Sequence, residues 1–301
     1  ETPLVSIVCD TYNHVNYIRQ CLDGFLMQET NFPIEILVHD DASTDGTSDI
    51  VKEYEARYPN LIKPIYQTEN QYSKGVKVTL EYQYSRAKGK YIAFCEGDDY
   101  WTDPLKLQKQ VDFLENNLDY VMCSHNFNHF IQHAEYLKVT DELLEQKYSL
   151  EDLIQGAWLF HPLTIMFRRS VVVLSELSRY DYMMDAVLMY YLLKKGNGYL
   201  LPDNMAVYRI HDKGVWSGIS MNNQRLNEYK ARLAIYNVEH TDSAAQFLLT
   251  QFTKLTSRMW MLKHYKMMWL VIDIINKHYG SKFTAKLIIN KLLFNRNYQY
   301  K

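Results

Sequence analysis

The sequence has 301 residues, a formal net charge of −2 and 23% charged residues, which argues against an overall field that attracts nucleic acid. This length suits one large domain or two smaller ones, and 47% hydrophobic residues is ordinary for a globular protein. We expect neither a signal peptide nor a membrane-spanning helix, because no run of about 18 apolar residues occurs. The four cysteines lack paired spacing, so we expect buried free thiols.

The first part of the chain alternates between short apolar runs and amphipathic helical patterns. We predict, in chain order, strand 5–9, helix 15–28, strand 34–38, helix 50–58, strand 62–66, helix 76–86 and strand 91–95. This alternation predicts an α/β fold, a Rossmann-like and mostly parallel sheet flanked by helices. In such sheets, ligands bind at the carboxyl ends of the strands.

The second part begins with Thr102-Asp103-Pro104, a capping pattern that predicts the start of a helix running to about Asn116. We then predict strand 120–131, helix 149–155, strand 161–167, helix 181–195 and strand 200–210, with helices from about residue 222 to the end. This division predicts a main domain over residues 1–220 and a C-terminal helical region over residues 221–301.

Three carboxylates follow the apolar run Tyr91-Ile-Ala-Phe-Cys95, namely Glu96, Asp98 and Asp99. Crowded carboxylates repel one another unless a cation lies between them. Oxygen ligands of this kind suit Mg²⁺ or Mn²⁺, which in turn bind substrate phosphates. The strand end therefore predicts a site for a metal ion and a diphosphate.

Polar residues also follow the first two predicted strands. Asp40 and Asp41 end the second strand ahead of a Ser/Thr/Asp/Gly turn, and carboxylates there can accept hydrogen bonds from a polar ring or from ribose hydroxyls. The first strand ends in Thr11-Tyr12-Asn13, where Tyr12 offers a stacking face and Thr11 backbone contacts. Both turns are equally compatible with helix capping, which does not exclude a ligand.

Three further groups have a functional and a structural interpretation. Asp185 precedes an apolar helix, where a carboxylate is either a general base or a partner of the helix dipole. His211 and Lys213 follow the last predicted strand. His211 could contact a metal or a phosphate and Lys213 could neutralise a diphosphate, or both are ordinary loop residues. His125, His129 and His133 recur every four residues, but the extended pattern of Val121–Ile131 argues against a metal site on a helix.

The ordered combination of these motifs resembles the inverting family-2 glycosyltransferases of the GT-A fold. The matching segments are Val5-Ser-Ile-Val8, Thr11-Tyr-Asn-His14, Asp40-Asp-Ala-Ser-Thr-Asp-Gly-Thr47, Gly89-Lys-Tyr-Ile92, Glu96-Gly-Asp-Asp-Tyr-Trp101, Asp103-Pro-Leu-Lys-Leu107, Tyr208-Arg-Ile-His211 and Gly214-Val-Trp216. They lie within residues 3 to about 218. The helices after residue 220 carry no matching motif.

The resemblance implies roles for these residues. The nucleobase would bind Asp41, Thr11, Tyr12 and Asn13, and the ribose and diphosphate would bind Glu96, Asp98 and Lys213. The Mn²⁺ or Mg²⁺ ion would bind Asp98, Asp99 and His211, with the main ligand of the two aspartates left open. Asp185 matches the catalytic base. Glu96 stands where the family more commonly has Asp, and Met184 replaces the Glu of its usual Glu-Asp pair.

The resemblance further implies a single displacement with inversion at the anomeric carbon. The donor would be a nucleotide sugar, with UDP favoured over dTDP or GDP, and the acceptor a glycan or lipid-linked hydroxyl in bacterial surface polysaccharide synthesis. The expected location is cytoplasmic, at the inner face of the membrane if the enzyme binds lipid. The alternatives are a nucleotidyltransferase, which normally has a Gly-rich phosphate loop, and a catalytically weak nucleotide-sugar- or carbohydrate-binding relative.

The C-terminal region is strongly basic. From Gln251 onward, ten lysines and arginines stand against one acid, Asp273, and tryptophans such as Trp260 and Trp269 are interleaved with them. One interpretation is contact with an anionic membrane surface or a lipid-diphosphate acceptor. The other is a helical bundle that packs on the main domain or forms a homodimer. No nucleic-acid partner is expected.

Overall fold

The computed structural model describes residues 2–140, 143–254 and 265–280. The chain forms two compact units. The first comprises Glu1–Ser149, Leu159–Ser178 and Tyr191–Gly218, and the second comprises Leu150–Trp158, Arg179–Tyr190 and Ile219–Lys301. The described residues of the second unit include the C-terminal helices, and the predicted domain boundary at residue 220 stays a prediction.

The first unit contains a sheet of ten strands among the described residues. They are β1 Val5–Thr11, β2 Ile34–Asp40, β3 Ile62–Tyr66, β4 Tyr91–Phe94, β5 Tyr100–Trp101, β6 Tyr120–Ile131, β7 Tyr136–Lys138, β8 Gln146–Tyr148, β9 Met166–Arg168 and β10 Asn197–Ile210. Their order is β3-β2-β1-β4-β9-β6-β10-β5, with β7 paired to β6 and β8 paired to β10.

The long strands pair in parallel, β1 with β2 and β4, β2 with β3, and β6 with β10. The short strands β5, β7, β8 and β9 pair antiparallel to their neighbours. The prediction of an α/β fold with a mostly parallel sheet is therefore confirmed. Strands of two or three residues are too short for a detectable periodicity, so most of the antiparallel pairs were not predicted.

The helices lie between these strands and after them. The α-helices of the described residues are α1 Ile18–Leu26, α2 Thr47–Arg57, α3 Lys106–Asn116, α4 Leu150–Gln155, α5 Leu174–Leu177, α6 Asp185–Lys195, α7 Met221–Glu239, α8 Asp242–Lys254 and α9 Tyr265–Tyr279. A π-helix covers Thr79–Tyr84, and 3₁₀ turns cover Tyr72–Lys74, Gln132–Ala134, Pro162–Thr164 and Arg169–Val171.

Several boundaries differ from the prediction. Helix α3 begins at Lys106, two residues beyond Pro104, because Asp103 Oδ1 accepts a hydrogen bond from the Leu105 N–H at 2.8 Å and delays the first helical turn. The predicted strand 161–167 shortens to Met166–Arg168, since Pro162–Thr164 forms a 3₁₀ turn. Helix α6 begins at Asp185, four residues later than predicted.

The core lies on both faces of the central strand β1, where Val5, Ile7, Val8 and Cys9 are all fully buried. A strand covered on both faces has a nearly continuous apolar run, which in β1 is interrupted by the buried Ser6. Helix α1 buries Ile18, Cys21, Leu22 and Phe25 along one face. All four cysteines are buried and free, as expected.

Among the helices of the described ranges, none has both the length and the apolar character that a membrane crossing needs. The basic C-terminal region contains two of the tryptophans named above. Trp260 lies outside the described residues, and the side chain of Trp269 on α9 is 63% exposed. The membrane and dimer interpretations of this region therefore both stay predictions.

Candidate functional site

The carboxyl ends of three neighbouring parallel strands meet at one edge of the sheet. Thr11 at the end of β1 pairs in register with Asp40 at the end of β2, and Val8 pairs with Phe94 of β4. The loops after these strands therefore start side by side. The end of β10 carries Arg209, whose backbone N–H reaches the loop after β4.

Three acids form a cluster after β4, which we name the acidic triad (Glu96, Asp98 and Asp99). One carboxylate oxygen from each lies within 4.8 Å of the others. Glu96 is exposed, Asp98 is partly buried and Asp99 is buried. The structure thus brings together the three acids that the sequence singled out.

The triad has the chemistry of a divalent cation site. Oδ2 of Asp99 is shielded from solvent and has no hydrogen-bond partner within the described part of the chain. Burial, together with the neighbouring charge of Asp98, raises the pKa of Asp99 well above its usual range. A buried, unpaired carboxylate oxygen beside two further carboxylates is costly alone, and a hard cation would satisfy it. These residues therefore fit Mg²⁺ or Mn²⁺.

Two histidines flank Asp98 at the same carboxylate oxygen. Nε2 of His211 lies 3.0 Å from Asp98 Oδ2, and Nε2 of His14 lies 3.6 Å from it. Burial opposes ionisation of Asp98, but the hydrogen bond with His211 and the proximity of His14 lower its pKa overall. His211 therefore lies beside the triad, where the resemblance placed it. His14 was not predicted to lie at the site, although it is the last residue of the Thr11-Tyr-Asn-His14 motif.

Arg209 holds the backbone of the triad loop. Its backbone N–H donates to Asp99 Oδ1 at 2.8 Å, and its guanidinium donates to the carbonyl oxygen of Asp98 and to Gln20. The guanidinium also lies 4.4 Å from the ring centroid of Tyr100. Arg209 is a positioning residue that sequence reasoning missed. The one available signal was its place inside the quoted Tyr208-Arg-Ile-His211 motif.

The predicted nucleobase residues gather at the ends of β1 and β2. The carboxylate of Asp41 accepts hydrogen bonds from the backbone N–H groups of Gln71 at 2.8 Å and Tyr72 at 3.0 Å. Asn13 has a left-handed backbone with φ of 55°, and its side-chain oxygen accepts from the Thr44 N–H at 2.9 Å. Asn13 thus connects the loop after β1 to the loop after β2, and Asp41 connects the loop after β2 to the segment after β3.

Thr11 and Tyr12 lie in different environments within this cluster. Thr11 is buried, and its hydroxyl oxygen lies 3.2 Å from Nδ1 of His14. The Tyr12 side chain is 44% exposed, so its ring is open to a stacking partner. Thr11 thereby connects the predicted nucleobase residues to the triad through His14.

Gly97 lies at this junction, and a side chain there would disturb it. A Cβ atom at Gly97 would lie 2.6 Å from the Thr11 hydroxyl oxygen and 3.0 Å from Nδ1 of His14. We expect Gly97→Ala to lower the free energy of unfolding by about 1–3 kcal/mol, the usual cost of overpacking. Denaturant unfolding measures this effect. A wild-type free energy of unfolding would contradict the crowding.

Asp185 is the first residue of α6, directly after Met184. Its side chain is exposed at the start of the helix, and the loss of hydration caused by the surrounding protein atoms raises the pKa of its carboxyl to about 6. A base of that pKa is suited to accept a proton near neutral pH. Asp185 belongs to the second compact unit, whereas the triad belongs to the first. Lys213 is exposed in the loop after β10.

The three spaced histidines do not share a helix. His125 and His129 lie on β6 and His133 in the following 3₁₀ turn. The prediction that Val121–Ile131 is extended is therefore confirmed.

Comparison with known proteins identifies the family. The model of the family described as "Glycosyl transferase family 2" matches residues 6–173. An uncharacterised protein of Mycobacterium bovis is 37% identical over 218 residues, which are 70% of this chain and 60% of that protein. The chain thus spans less than two thirds of the length of this relative.

Two further similarities come from named proteins. A Bacillus subtilis protein named as a teichuronic acid biosynthesis glycosyltransferase, TuaG, is 29% identical over 218 residues, covering 71% of this chain and 82% of TuaG. The crystal structure of residues 1–349 of S. aureus TarS in complex with UDP-GlcNAc has a TM-score of 0.65 and 19% identity, and the match covers 96% of this chain and 84% of that one. The family model matches more than half of the chain's length. The chain therefore belongs to glycosyl transferase family 2, and it has the GT-A fold.

Proposed function

We propose that this protein is a metal-dependent, inverting glycosyltransferase of the hexosyltransferase type. It would move a sugar from a nucleoside-diphosphate sugar, with UDP the favoured nucleotide, to a hydroxyl of a glycan or lipid-linked acceptor. The observation that carries the proposal is the acidic triad beside the ends of β1 and β2, in which a buried Asp99 oxygen has no hydrogen-bond partner among the described residues. UDP is favoured because the similar TarS structure contains UDP-GlcNAc.

The residues that would hold the cation are Asp98 and Asp99, with His211 as a third ligand. A bound Mn²⁺ or Mg²⁺ supplies positive charge that stabilises the departing diphosphate. Arg209 fixes the loop that presents both aspartates, so the carboxylates need little rearrangement when the donor binds. Lys213 adds a cation for the diphosphate, and Glu96 accepts from the ribose.

The nucleobase would lie against Tyr12, beside Thr11, Asn13 and Asp41. The exposed ring of Tyr12 supplies the stacking face. The Asp41 carboxylate already accepts two backbone N–H bonds, and a carboxylate has room for further donors such as a uracil N–H.

Asp185 would act as the general base. It would take the proton from the acceptor hydroxyl while that oxygen attacks the anomeric carbon from the side opposite the diphosphate. One displacement of this kind inverts the anomeric configuration. The raised pKa of Asp185 supports this role.

The names of the relatives support a proposal for the biological setting. The name of TuaG refers to teichuronic acid biosynthesis, and a role in bacterial surface polysaccharide synthesis on the cytoplasmic side of the membrane is our proposal for this chain. Membrane or dimer contacts through the C-terminal helices belong to the same proposal.

The test is nucleotide release from a panel of UDP-, GDP- and dTDP-sugars with Mn²⁺. We expect release of nucleoside diphosphate from one of them, its abolition by EDTA, and its recovery when Mn²⁺ or Mg²⁺ is added back. Undiminished turnover in EDTA would contradict the metal proposal. Release of pyrophosphate from a nucleoside triphosphate and a sugar phosphate would instead identify a nucleotidyltransferase.

A further inference from the structure

His14 lies between two groups that the proposed function assigns to different parts of the donor site, and it has no role of its own in that proposal. Its Nδ1 lies 3.2 Å from the hydroxyl oxygen of Thr11, one of the proposed nucleobase residues. Its Nε2, at the other side of the ring, lies 3.6 Å from Oδ2 of Asp98, a proposed metal ligand. One imidazole therefore faces both sets of residues with its two polar atoms.

The two ring nitrogens of His14 suit these neighbours. A neutral imidazole carries a proton on one nitrogen and a lone pair on the other. A hydroxyl can donate to a lone pair, whereas a carboxylate can only accept. With the Thr11 hydroxyl donating to Nδ1, the ring proton lies on Nε2 and is directed at the Asp98 carboxylate. Thr11, His14 and Asp98 thus form a row of groups with matching donors and acceptors.

The surrounding chain holds the His14 ring in this place. Its backbone carbonyl oxygen accepts hydrogen bonds from the N–H groups of Tyr17 at 2.8 Å and Ile18 at 2.9 Å, where α1 begins. The His14 side chain is only 14% exposed. Gly97 of the triad loop lies against the contact between Thr11 and His14, so close that a Cβ atom there would crowd both side chains. The imidazole therefore has little room to turn away from either neighbour.

Asp98 has a second imidazole neighbour, but the two histidines differ in what they can do. Nε2 of His211 lies 3.0 Å from Asp98 Oδ2, and His211 is also the third ligand of the proposed cation site. One Nε2 atom cannot donate a proton to Asp98 and ligate a cation through its lone pair at the same time. His14 would remain beside the carboxylate in either case. Hydrogen-bonding groups behind a ligating carboxylate orient it and raise the affinity for the metal.

We propose that His14 is a positioning residue that couples binding of the nucleobase to binding of the divalent cation. This inference rests on the proposed function, because it takes residues 11–13 as the nucleobase loop and Asp98 as a metal ligand. His14 directly follows that loop, so a base that fixes the loop also fixes the imidazole beside Asp98. The coupling is reciprocal, as thermodynamic linkage requires, so an occupied cation site tightens binding of the base by the same factor.

Uridine is the probe that isolates this coupling, because it carries the base and has no phosphate that could bind the metal directly. Calorimetric titration of the full chain with Mn²⁺, without and with uridine, measures the effect. We expect uridine to tighten Mn²⁺ binding to the wild type about fivefold, the lower end of ordinary coupling between two sites. The reverse titration, uridine without and with Mn²⁺, should give the same factor.

Two variants each keep one side of the imidazole. His14→Asn places an amide near the position of Nδ1 and is too short to reach Asp98, whereas His14→Gln places one near Nε2 without the nitrogen that faces Thr11. Both should still bind uridine and Mn²⁺ separately, and the factor that links the two should fall to about one. The matched control is His133→Gln, an exposed histidine in the 3₁₀ turn before β7, which should keep the wild-type factor. Thermal unfolding of each variant shows whether it is folded.

A double-mutant cycle provides a second measurement that does not depend on uridine. With UDP present, Thr11→Val and His14→Ala should together weaken Mn²⁺ binding by less than the product of their separate effects, because both remove the same bridge. The inference is overturned by a simple product, by wild-type coupling in His14→Asn or His14→Gln, or by a wild type whose Mn²⁺ affinity uridine leaves unchanged up to its solubility limit. In contrast, a wild type that binds neither UDP nor Mn²⁺ would refute the proposed function itself.

Discussion

Replacing Asp98 or Asp99 with asparagine is expected to reduce kcat/KM about a thousandfold, because the proposed metal would stabilise the leaving diphosphate by several kcal/mol. Asparagine keeps the shape of each side chain but removes one negative charge. In Asp99→Asn the amide oxygen can still accept the hydrogen bond from the Arg209 N–H. The variant therefore tests the charge at this position without removing that contact.

Stability measurements separate metal binding from folding in these variants. Burial disfavours the charged form of Asp99, so without metal Asp99→Asn should unfold at a temperature no lower than the wild type. Added Mn²⁺ and UDP should raise the unfolding temperature of the wild type but not of the variant, since ligands stabilise only the state that binds them.

The matched control for this experiment is Asp119→Asn, which changes an exposed acid on the loop before β6. Its turnover and its response to Mn²⁺ should equal those of the wild type. If Asp98→Asn and Asp99→Asn both kept full Mn²⁺-dependent turnover, the triad would not be the metal site.

Asp185→Asn is expected to slow sugar transfer about 10²- to 10⁴-fold, the usual contribution of a general base, while UDP and Mn²⁺ bind as in the wild type. The pH dependence follows from the pKa of about 6. A base must be ionised to accept a proton, so the rate should be constant above this pKa and fall about tenfold per pH unit below it. The measurement is kcat for transfer from pH 4.5 to 8, with nucleotide binding followed separately.

Two controls make this assignment specific. Asp181→Asn changes an exposed acid four residues earlier in the same segment and should leave the rate unchanged. Asp10 also ionises near pH 6, because burial raises its pKa, so Asp10→Asn should keep the acid limb of the profile if Asp185 is its source. Asp185→Asn with wild-type kcat and an unaltered profile would assign the base to another residue.

The sequence alone predicted the α/β class because the relevant signals are local. A buried parallel strand needs a nearly continuous apolar run, and β1, β2 and β4 each have one, interrupted by Ser6 in β1 and by Glu35 in β2. Parallel pairing brings the ends of such strands to one edge of the sheet. Acids that directly follow those strands could therefore be assigned to a common site from the sequence. The ordered motifs were also sufficient to identify the family, which the family model confirms.

The tertiary structure decided the contacts that join distant parts of the chain. The hydrogen bond from Arg209 to Asp99 spans 110 residues, and the contact of His211 with Asp98 spans 113. Neither Arg209 nor His14 has a local pattern that distinguishes it from an ordinary polar loop residue. The rings of His161, ahead of β9, and Tyr208, on β10, have centroids 4.3 Å apart, a contact that the strand order brings about.

The chemical kinds of group at each strand end were thus determined by the sequence, since the residue types and the local apolar runs that they follow are both encoded along the chain. The partners of those groups were decided only by folding. Strand order and β-pairing bring residues more than 100 positions apart into hydrogen-bond distance, and hydrophobic periodicity carries no information on which strands become neighbours.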